Sequence, residues 1–414
     1  MQVLILTPDI HTRGGIARYT ATLASALGDL IGSENVHVKP LLGREGADGN
    51  FSGCRVLSPV AARLSTAGKF RFAFRALGMG RRKYNLVICT HIGLSPVAGL
   101  MRVFFRTPFW VTCHGREAWP RFAADVRWAA GLADLLIPVS RFTADMISRV
   151  NGIPHSKMRV LYNAIPADFA ERLITANGNQ GSEVAVNKKD KNILSVGTID
   201  KTNAYKGFDT VIKALPRVLE AVPNARYLVV GEGDDTGRLK GLARDTGVQD
   251  HVEFMGGISD ADLAACYRAC AVFVMPSRTT SLKGGGWQGE GFGRVYVEAS
   301  LAGKPVVGST GGGAAEAVLH ERTGLLVDPE SVSDVAGALV RLLWDHEQAA
   351  IMGFEGRNWA LEHFTYGALK HRLAELLGGY EFAFHDEPEE SRDTRHAYAA
   401  RKREPQVMVG SGRS

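Results

Sequence analysis

The sequence predicts an α/β fold built as two doubly wound parallel-sheet domains. Short apolar runs alternate with amphipathic stretches of helix length, and this alternation occurs twice along the chain. Strands that are apolar throughout, with helices between them, belong to parallel sheets covered on both faces. The length of 414 residues points the same way, because a single core stops growing near ~250–300 residues. A polar segment, Thr175–Lys191, almost without large apolar side chains, divides the two rounds and reads as a linker.

In the first round, strands are expected at Val3–Thr7, Leu86–Thr90, Phe109–Cys113, Leu135–Val139 and Arg159–Tyr162, with helices at Ile16–Leu27, Pro96–Phe105 and Arg141–Val150. In the second, strands are expected at Asn192–Val196, Arg226–Val230, Val252–Met255, Ala271–Met275, Pro305–Gly308 and Leu325–Val327. The accompanying helices are Phe208–Ala221, Asp260–Arg268 and Val332–Trp344. The boundaries follow: a first domain at 1–176, a linker at 177–191 and a second domain at 192–359. From about His385 to Ser414 the chain is charged, with few large apolar residues, and is expected to be a disordered tail. No internal repeat of solenoid period is found.

A hydrophobic share of 45% with 22% charged residues excludes wholesale disorder. Five scattered cysteines, Cys54, Cys89, Cys113, Cys266 and Cys270, do not make a disulfide framework, and a reducing cytoplasm fits best. Cys266 and Cys270 lie four apart on a helix, but no nearby Cys or His pair completes a zinc set. Met1–Thr7 lacks a basic start and a cleavage site, so it reads as a strand and not a signal peptide. No apolar run reaches ~20 residues; Ile92–Cys113 comes nearest and is broken by Arg102 and Arg106.

The net charge of +6 is uneven. Gly49 to Arg116 contains no Asp or Glu, yet holds eleven basic residues: Arg55, Arg63, Lys69, Arg71, Arg75, Arg81, Arg82, Lys83, Arg102, Arg106 and Arg116. The rest of the chain carries 38 basic against 43 acidic side chains.

Two glycine-bearing turns carry the chemistry. After Val3–Thr7, Thr12-Arg13-Gly14-Gly15-Ile16 leads into a helix. Paired glycines let backbone approach a ligand, and a helix N-terminus offers free N–H groups to an anion such as a diphosphate. Alone, Gly-Gly before a helix is more often merely a tight turn. No Gly-x-Gly-x-x-Gly is present, which argues against a dinucleotide oxidoreductase. The stronger segment is Gly284–Ala302, GGGWQGEGFGRVYVEASLA. A mobile glycine-rich loop is expected to run into Glu290-Gly291-Phe292-Gly293, with a helix carrying Glu298. Carboxylates accept paired hydrogen bonds from vicinal hydroxyls, so Glu290 and Glu298 suit a sugar and a ribose. The N–H groups of Gly291, Phe292 and Gly293 suit a phosphate.

This pattern resembles the retaining nucleotide-sugar glycosyltransferases of family 4. It is carried by E-G-F-G-x-V-x-x-E-A from Glu290 to Ala299, then Gly303-Lys304-Pro305-Val306-Val307, Gly312-Gly313 and Thr323-Gly324-Leu325-Leu326-Val327. Gly14-Gly15, His114-Gly115, Val139-Ser140 and Asn163 match less specifically. The resemblance runs from Met1 to about Tyr380. It implies the GT-B fold, two Rossmann-like domains facing a central cleft, with residues 360–384 crossing back onto the first. It implies that Glu298 binds the ribose, Glu290 the donor-sugar hydroxyls, Lys206 the diphosphate, and that Gly14 and Gly15 border the diphosphate and acceptor. His114 would lie beside the transferred sugar; without the family it reads as a satisfied strand-end histidine.

One departure stands out. The family has Val-Gly-Arg where this chain has Val196-Gly197-Thr198, so a donor-binding guanidinium is missing at Thr198. Lys201, Arg13, Arg278, Lys283 and Arg294 are candidate replacements. No metal or other cofactor is expected: Lys206 and helix N-termini would stabilise the leaving diphosphate. The expected catalytic residues are therefore His114, Lys206 and Glu290. Trp119, Trp128 and Trp359 read as packing residues, while Trp287 could close over the donor. His11 and His91 carry no functional claim.

The expected function is transfer of a mannose- or glucose-type hexose from a GDP- or UDP-sugar to a hydroxyl, on a lipid-linked saccharide or polysaccharide intermediate. A nucleotide-sugar epimerase of the same fold and a non-catalytic scaffold are the alternatives. For the basic 55–106 region, three readings compete. Lys69–Lys83 (KFRFAFRALGMGRRK) interleaves Arg and Lys with Phe70, Phe72, Phe74, Leu77 and Met79. Docking on an anionic membrane, at the inner face of the plasma membrane, is favoured. An idle solvated face comes second. Nucleic acid comes last, because no recognition motif accompanies the charge.

Overall fold

The computed structural model of the protein describes residues 1–10, 14–43, 49–51, 53–61, 65–80, 84–175 and 191–378. Met1–Glu375 form one compact unit that holds two large sheets and a two-stranded one. The linker, apart from Lys191, and the tail fall outside the described residues, as do Arg13, Arg63 and Arg81–Lys83.

The first sheet is built from β1 (Val3–Thr7), β2 (Val36–Pro40), β3 (Gly49–Phe51), β4 (Cys54–Val56), β5 (Leu86–Cys89), β6 (Phe109–Cys113) and β7 (Leu135–Pro138). Its order is β3-β4-β2-β1-β5-β6-β7, parallel except for the antiparallel β3–β4 edge. Its helices are α1 (Gly15–Ile31), α2 (Thr66–Gly80), α3 (Ser95–Phe105), α4 (Ala124–Leu132), α5 (Arg141–Asn151) and α6 (Ala167–Ile174).

The second half contains β8 (Lys191–Val196), β9 (Ala225–Val230), β10 (Val252–Gly256), β11 (Val272–Val274), β12 (Thr280–Ser281), β13 (Trp287–Gln288), β14 (Val306–Ser309) and β15 (Gly324–Val327). Six of these form a parallel sheet in the order β10-β9-β8-β11-β14-β15. Its helices are α7 (Phe208–Ala221), α8 (Thr236–Asp245), α9 (Asp260–Ala269), α10 (Arg294–Leu301), α11 (Ala314–Ala317), α12 (Val332–Trp344), α13 (His346–His363) and α14 (Tyr366–Gly378). Two separate apolar cores follow from the two sheets, each lined by the continuous apolar strands that predicted it. Near its start, α14 touches α1: the Tyr366 hydroxyl donates to Asp29 (3.0 Å) and Lys370 pairs with the same carboxylate (3.3 Å).

Each sheet reverses its strand order once, between β1 and β5 and between β8 and β11. In open α/β sheets the crevice beyond the carboxyl ends at such a reversal is where ligands bind.

Three expectations are corrected. Arg159–Tyr162 is not a strand: it runs beside β7 with only Arg159 N–H to Leu136 and Leu161 N–H to Pro138. The first sheet instead gains β2, β3 and β4, of which β2 hides its nature by burying polar residues. Its His37 ring nitrogen Nδ1 is 2.7 Å from the Tyr84 hydroxyl, and Lys39 Nζ donates to the Ser58 carbonyl. The glycine-rich loop before Glu290 is a β12–β13 antiparallel hairpin, with Gly284 and Gly285 at positive φ in its turn.

Candidate active site

At the first reversal, β1 feeds α1 through Gly14, whose extended backbone caps the helix without any side-chain hydrogen bond. A Cβ on Gly15 would meet nothing within 4 Å. This leaves the first N–H groups of α1 open for a ligand. Behind them lies a chain of buried hydroxyls: Thr20 donates to Thr90 (3.0 Å) and is 3.2 Å from Thr7.

His114 ends β6. Its Nε2 is 2.9 Å from the Thr90 carbonyl, so that nitrogen carries a proton and donates it. The ring meets Tyr19 edge-on, with centroids 4.7 Å apart. Burial pulls its pKa below the usual value, against the opposing charge of Glu117 and the bond to Thr90. The imidazole is therefore neutral at pH 7, a polar group without net charge.

The second reversal is charged. Beyond β8 come Gly197, the exposed Thr198 and a 3-10 turn, Lys201–Lys206. Lys206 folds back over Gly197: a Cβ there would lie 3.1 Å from Lys206 Cδ. Its Nζ donates to Glu290 Oε1 at 2.8 Å, with both side chains largely buried. Burial pulls the ammonium pKa down, but Glu290 and Tyr205 together outweigh it and hold the group above its usual value. Arg278 braces the turn, donating to both oxygens of Asp209 (2.9 Å each), to Thr210 (2.6 Å) and to the Ala204 carbonyl (3.1 Å).

After the hairpin, Gly293 adopts a left-handed conformation (φ +83°), and a Cβ there would strike the Tyr296 ring at 2.3 Å. Only glycine fits at this entry to α10. Glu298, inside α10, accepts from the Tyr267 hydroxyl (2.8 Å) and lies 3.5 Å from Arg294. Phe292 points away from the cleft, its ring packed between Tyr162 and Phe364 at 5.3 and 5.2 Å. It can offer only its backbone to a ligand.

The two halves meet at this point. A Cβ on Gly291 would lie 1.8 Å from the His114 carbonyl, and one on Gly115 2.9 Å from Gly291 Cα. Across the cleft Arg18 pairs with Asp260 (3.0 Å). Buried Glu316 accepts the N–H groups of Arg141 (2.8 Å) and Phe142 (2.7 Å) at the start of α5, and the Tyr162 hydroxyl (3.2 Å). The structure thus brings together Lys206, Glu290, Gly291 and His114. Gly14 and Gly15 lie one turn before Arg18, and Trp287 is half-buried in the hairpin.

Two site-bordering groups escaped the sequence reading. Glu316 is a lone charge in the apolar run Gly311–Leu319, and that isolation was a signal. Arg116 was counted only as part of the basic stretch. Its guanidinium carbon lies 5.3 Å from the centre of the Tyr205 ring, and its Nη1 donates to Asn203 (3.4 Å).

Two family models match the chain: glycosyl transferases group 1 over residues 179–359 and glycosyltransferase family 4 over residues 13–169. The chain belongs to this glycosyltransferase family. Over 178 residues it is 43% identical to the GDP-mannose-dependent alpha-(1-6)-phosphatidylinositol monomannoside mannosyltransferase of Mycobacterium tuberculosis, covering 43% of this chain and 46% of the relative. The monoacylated-substrate counterpart from Corynebacterium glutamicum is 38% identical over 172 residues, 42% of this chain and 44% of that protein. The matched part spans about half the length of these curated relatives. Among solved structures, Anabaena HepE in complex with UDP and glucose has a TM-score of 0.73 at 21% identity, covering 92% of this chain and all of that one. Sucrose-phosphate synthase from Thermosynechococcus elongatus has 0.74 at 21% identity, covering 97% of this chain and all of that one. At such identities these two establish the two-domain GT-B fold of this glycosyltransferase. Among its described residues no helix is long and apolar enough to cross a membrane.

Proposed function

We propose that this glycosyltransferase moves a hexose, mannose before glucose, from a GDP- or UDP-sugar to a hydroxyl of a lipid-linked saccharide, with retention at the anomeric carbon. The observation that carries the reading is the Lys206–Glu290 pair, 2.8 Å apart at the second strand-order reversal, with Glu290 directly before the Gly291 that meets His114. The names of the mannosyltransferase relatives support mannose, GDP and a lipid acceptor.

The residues divide the work. Glu290 holds sugar hydroxyls, and Lys206 neutralises charge that grows on the departing diphosphate. The N–H groups at Gly14-Gly15 and at Gly291–Gly293 take phosphate oxygens. Glu298, fixed by Tyr267, holds the ribose. Neutral His114 hydrogen-bonds the transferred sugar. The anomeric C–O bond to phosphate breaks while the acceptor oxygen bonds the same carbon on the same face, and the acceptor proton passes to the departing phosphate oxygen. The chain's own cations stabilise the leaving group, so turnover should persist in chelator.

The acceptor arrives from an anionic membrane. On α2, Phe70 and Phe74 are 73% and 81% exposed, and on α3 Phe104 is 67% exposed. Lys69, Arg71, Arg75 and Arg106 are exposed around them, on a stretch without one acidic residue. Exposed aromatics ringed by cations fit the headgroup boundary of an anionic bilayer.

The test is a thermal-shift panel of GDP- and UDP-sugars, since a ligand bound only by the folded chain raises its Tm. NMR of the product from the best donor then reads the anomeric configuration. A rise with GDP-mannose and an α-linked product are expected. No shift and no transfer with any member would overturn the reading, and sugar conversion without acceptor would mark an epimerase.

A further inference from the structure

Thr198 leaves the diphosphate side of the proposed donor site short of charge. Lys206 is the cation there, and Glu290 already offsets it at 2.8 Å. A nucleoside diphosphate entering such a neutral pair would bring its negative charge into a low-dielectric cleft uncompensated, which is unfavourable without a further partner. A second cation has to come from elsewhere.

The candidates can be sorted by what they touch. Arg278 is held by Asp209 and Thr210 and braces the turn. Arg294 lies against Glu298 (3.5 Å), on the side assigned to the ribose. Lys283 is exposed in the β12–β13 hairpin turn, and Lys201 is exposed at the start of the 3-10 turn, at its far end from Lys206. Arg116 is exposed as well, but unlike them it stands over a ring that Lys206 also approaches. It comes from the opposite half, directly after His114-Gly115. Its backbone is fixed by a turn in which the Gly115 carbonyl accepts from Ala118 (2.7 Å) and Trp119 (3.0 Å). Its guanidinium lies over the Tyr205 ring at 5.3 Å, and Lys206 Nζ lies 5.6 Å from the centre of the same ring. Among the described residues its one hydrogen bond is a long one to Asn203 (3.4 Å), which leaves most of a five-donor fork for a ligand.

We propose that Arg116 supplies, from the acceptor half, the guanidinium that Thr198 lacks, so that the donor diphosphate is clamped between the halves. Lys206 holds it from one side and Arg116 from the other. Diphosphate binding then requires the cleft to be closed, with Gly291 against His114. A nucleoside monophosphate, which lacks the outer phosphate, does not reach Arg116. This rests on the nucleotide-sugar reading above.

Calorimetric titration of the full chain with GDP, UDP, GMP and UMP tests it. Arg116→Ala should weaken the preferred diphosphate roughly ten- to hundredfold, leave the matching monophosphate within about threefold, and Arg116→Lys should recover part of the loss. Adding Thr198→Arg to Arg116→Ala should restore diphosphate affinity, an outcome that a merely structural role for Arg116 would not give. Equal loss for both nucleotides, wild-type diphosphate affinity in Arg116→Ala, or selective loss in Arg294→Ala instead would overturn the inference. If the wild-type chain binds neither GDP nor UDP, the nucleotide-sugar reading falls and this inference falls with it.

Discussion

The two strand-order reversals face each other with opposite chemistry. The first presents open helix N–H groups, linked threonine hydroxyls and a histidine that burial keeps neutral. The second presents two close pairs, Lys206 with Glu290 and Arg294 with Glu298. The same topology therefore yields one neutral, hydrogen-bonding wall and one charged wall. A departing diphosphate needs fixed charge, whereas a sugar ring needs oriented neutral donors and acceptors. On the proposed function, the second half supplies the fixed charge for the leaving group and a carboxylate for the sugar, and the first adds neutral donors to both. The contrast also explains why a single guanidinium crossing from the first half would matter so much.

The largest test of that contrast is Lys206→Ala. If the charged wall stabilises the leaving group, turnover should fall on the order of 10²–10³ while the chain still folds, with a lower melting point because Glu290 loses its buried partner. A rate within a few-fold of wild type, measured by nucleotide release, would erase the distinction between the walls.

A second test concerns what holds the walls together. Glu316 belongs to the charged half yet satisfies the start of α5 in the neutral half. Removing it in Glu316→Ala leaves two part-buried N–H groups and the Tyr162 hydroxyl without their acceptor. The expected loss of stability is about 1–3 kcal/mol, read by denaturant unfolding. Its pH dependence has a definite sign. Burial raises the carboxyl pKa, against the hydrogen bonds it accepts. A raised carboxyl contributes most below the ordinary carboxylate range, and that contribution is lost as pH rises through the folded value. The advantage of wild type over Glu316→Gln should therefore narrow with rising pH. A gap that widens would show that the N–H groups, not burial, control this carboxylate.

How much of this was legible in the sequence depended on the range of each interaction. The second sheet was read strand by strand, because its strands are apolar on both faces and bounded by glycine. β2 was not, because His37 and Lys39 interrupt an apolar run and find their partners only in the folded chain. The β12–β13 hairpin reads in the sequence as a mobile loop, because glycine marks a hairpin turn as readily as a loop. The motif located Glu290 and Glu298 as carboxylates. It could not reveal that Glu290 closes on Lys206, 84 residues earlier, or that Glu316 caps a helix 175 residues away. Such pairs are set by how the two halves meet, which no local pattern encodes.

The smallest expected effect lies outside the cleft and decides whether the half with the neutral wall is also the membrane-facing half. Phe72 and Ala76 of α2 are buried, while Phe70 and Phe74 are exposed one turn apart on the opposite side. The helix therefore packs one aromatic inward and holds two outward, where water gains nothing from them. Were charge alone responsible, Phe74→Ser would leave vesicle binding unchanged and salt would abolish it. With aromatic insertion, Phe74→Ser should lower recovery on anionic vesicles roughly tenfold, with donor binding intact, and residual binding should survive moderate salt. Equal recovery of wild type on neutral and anionic vesicles would remove the membrane from the account. The acid-free stretch would then be solvated surface, and the contrast between the halves would end at the cleft.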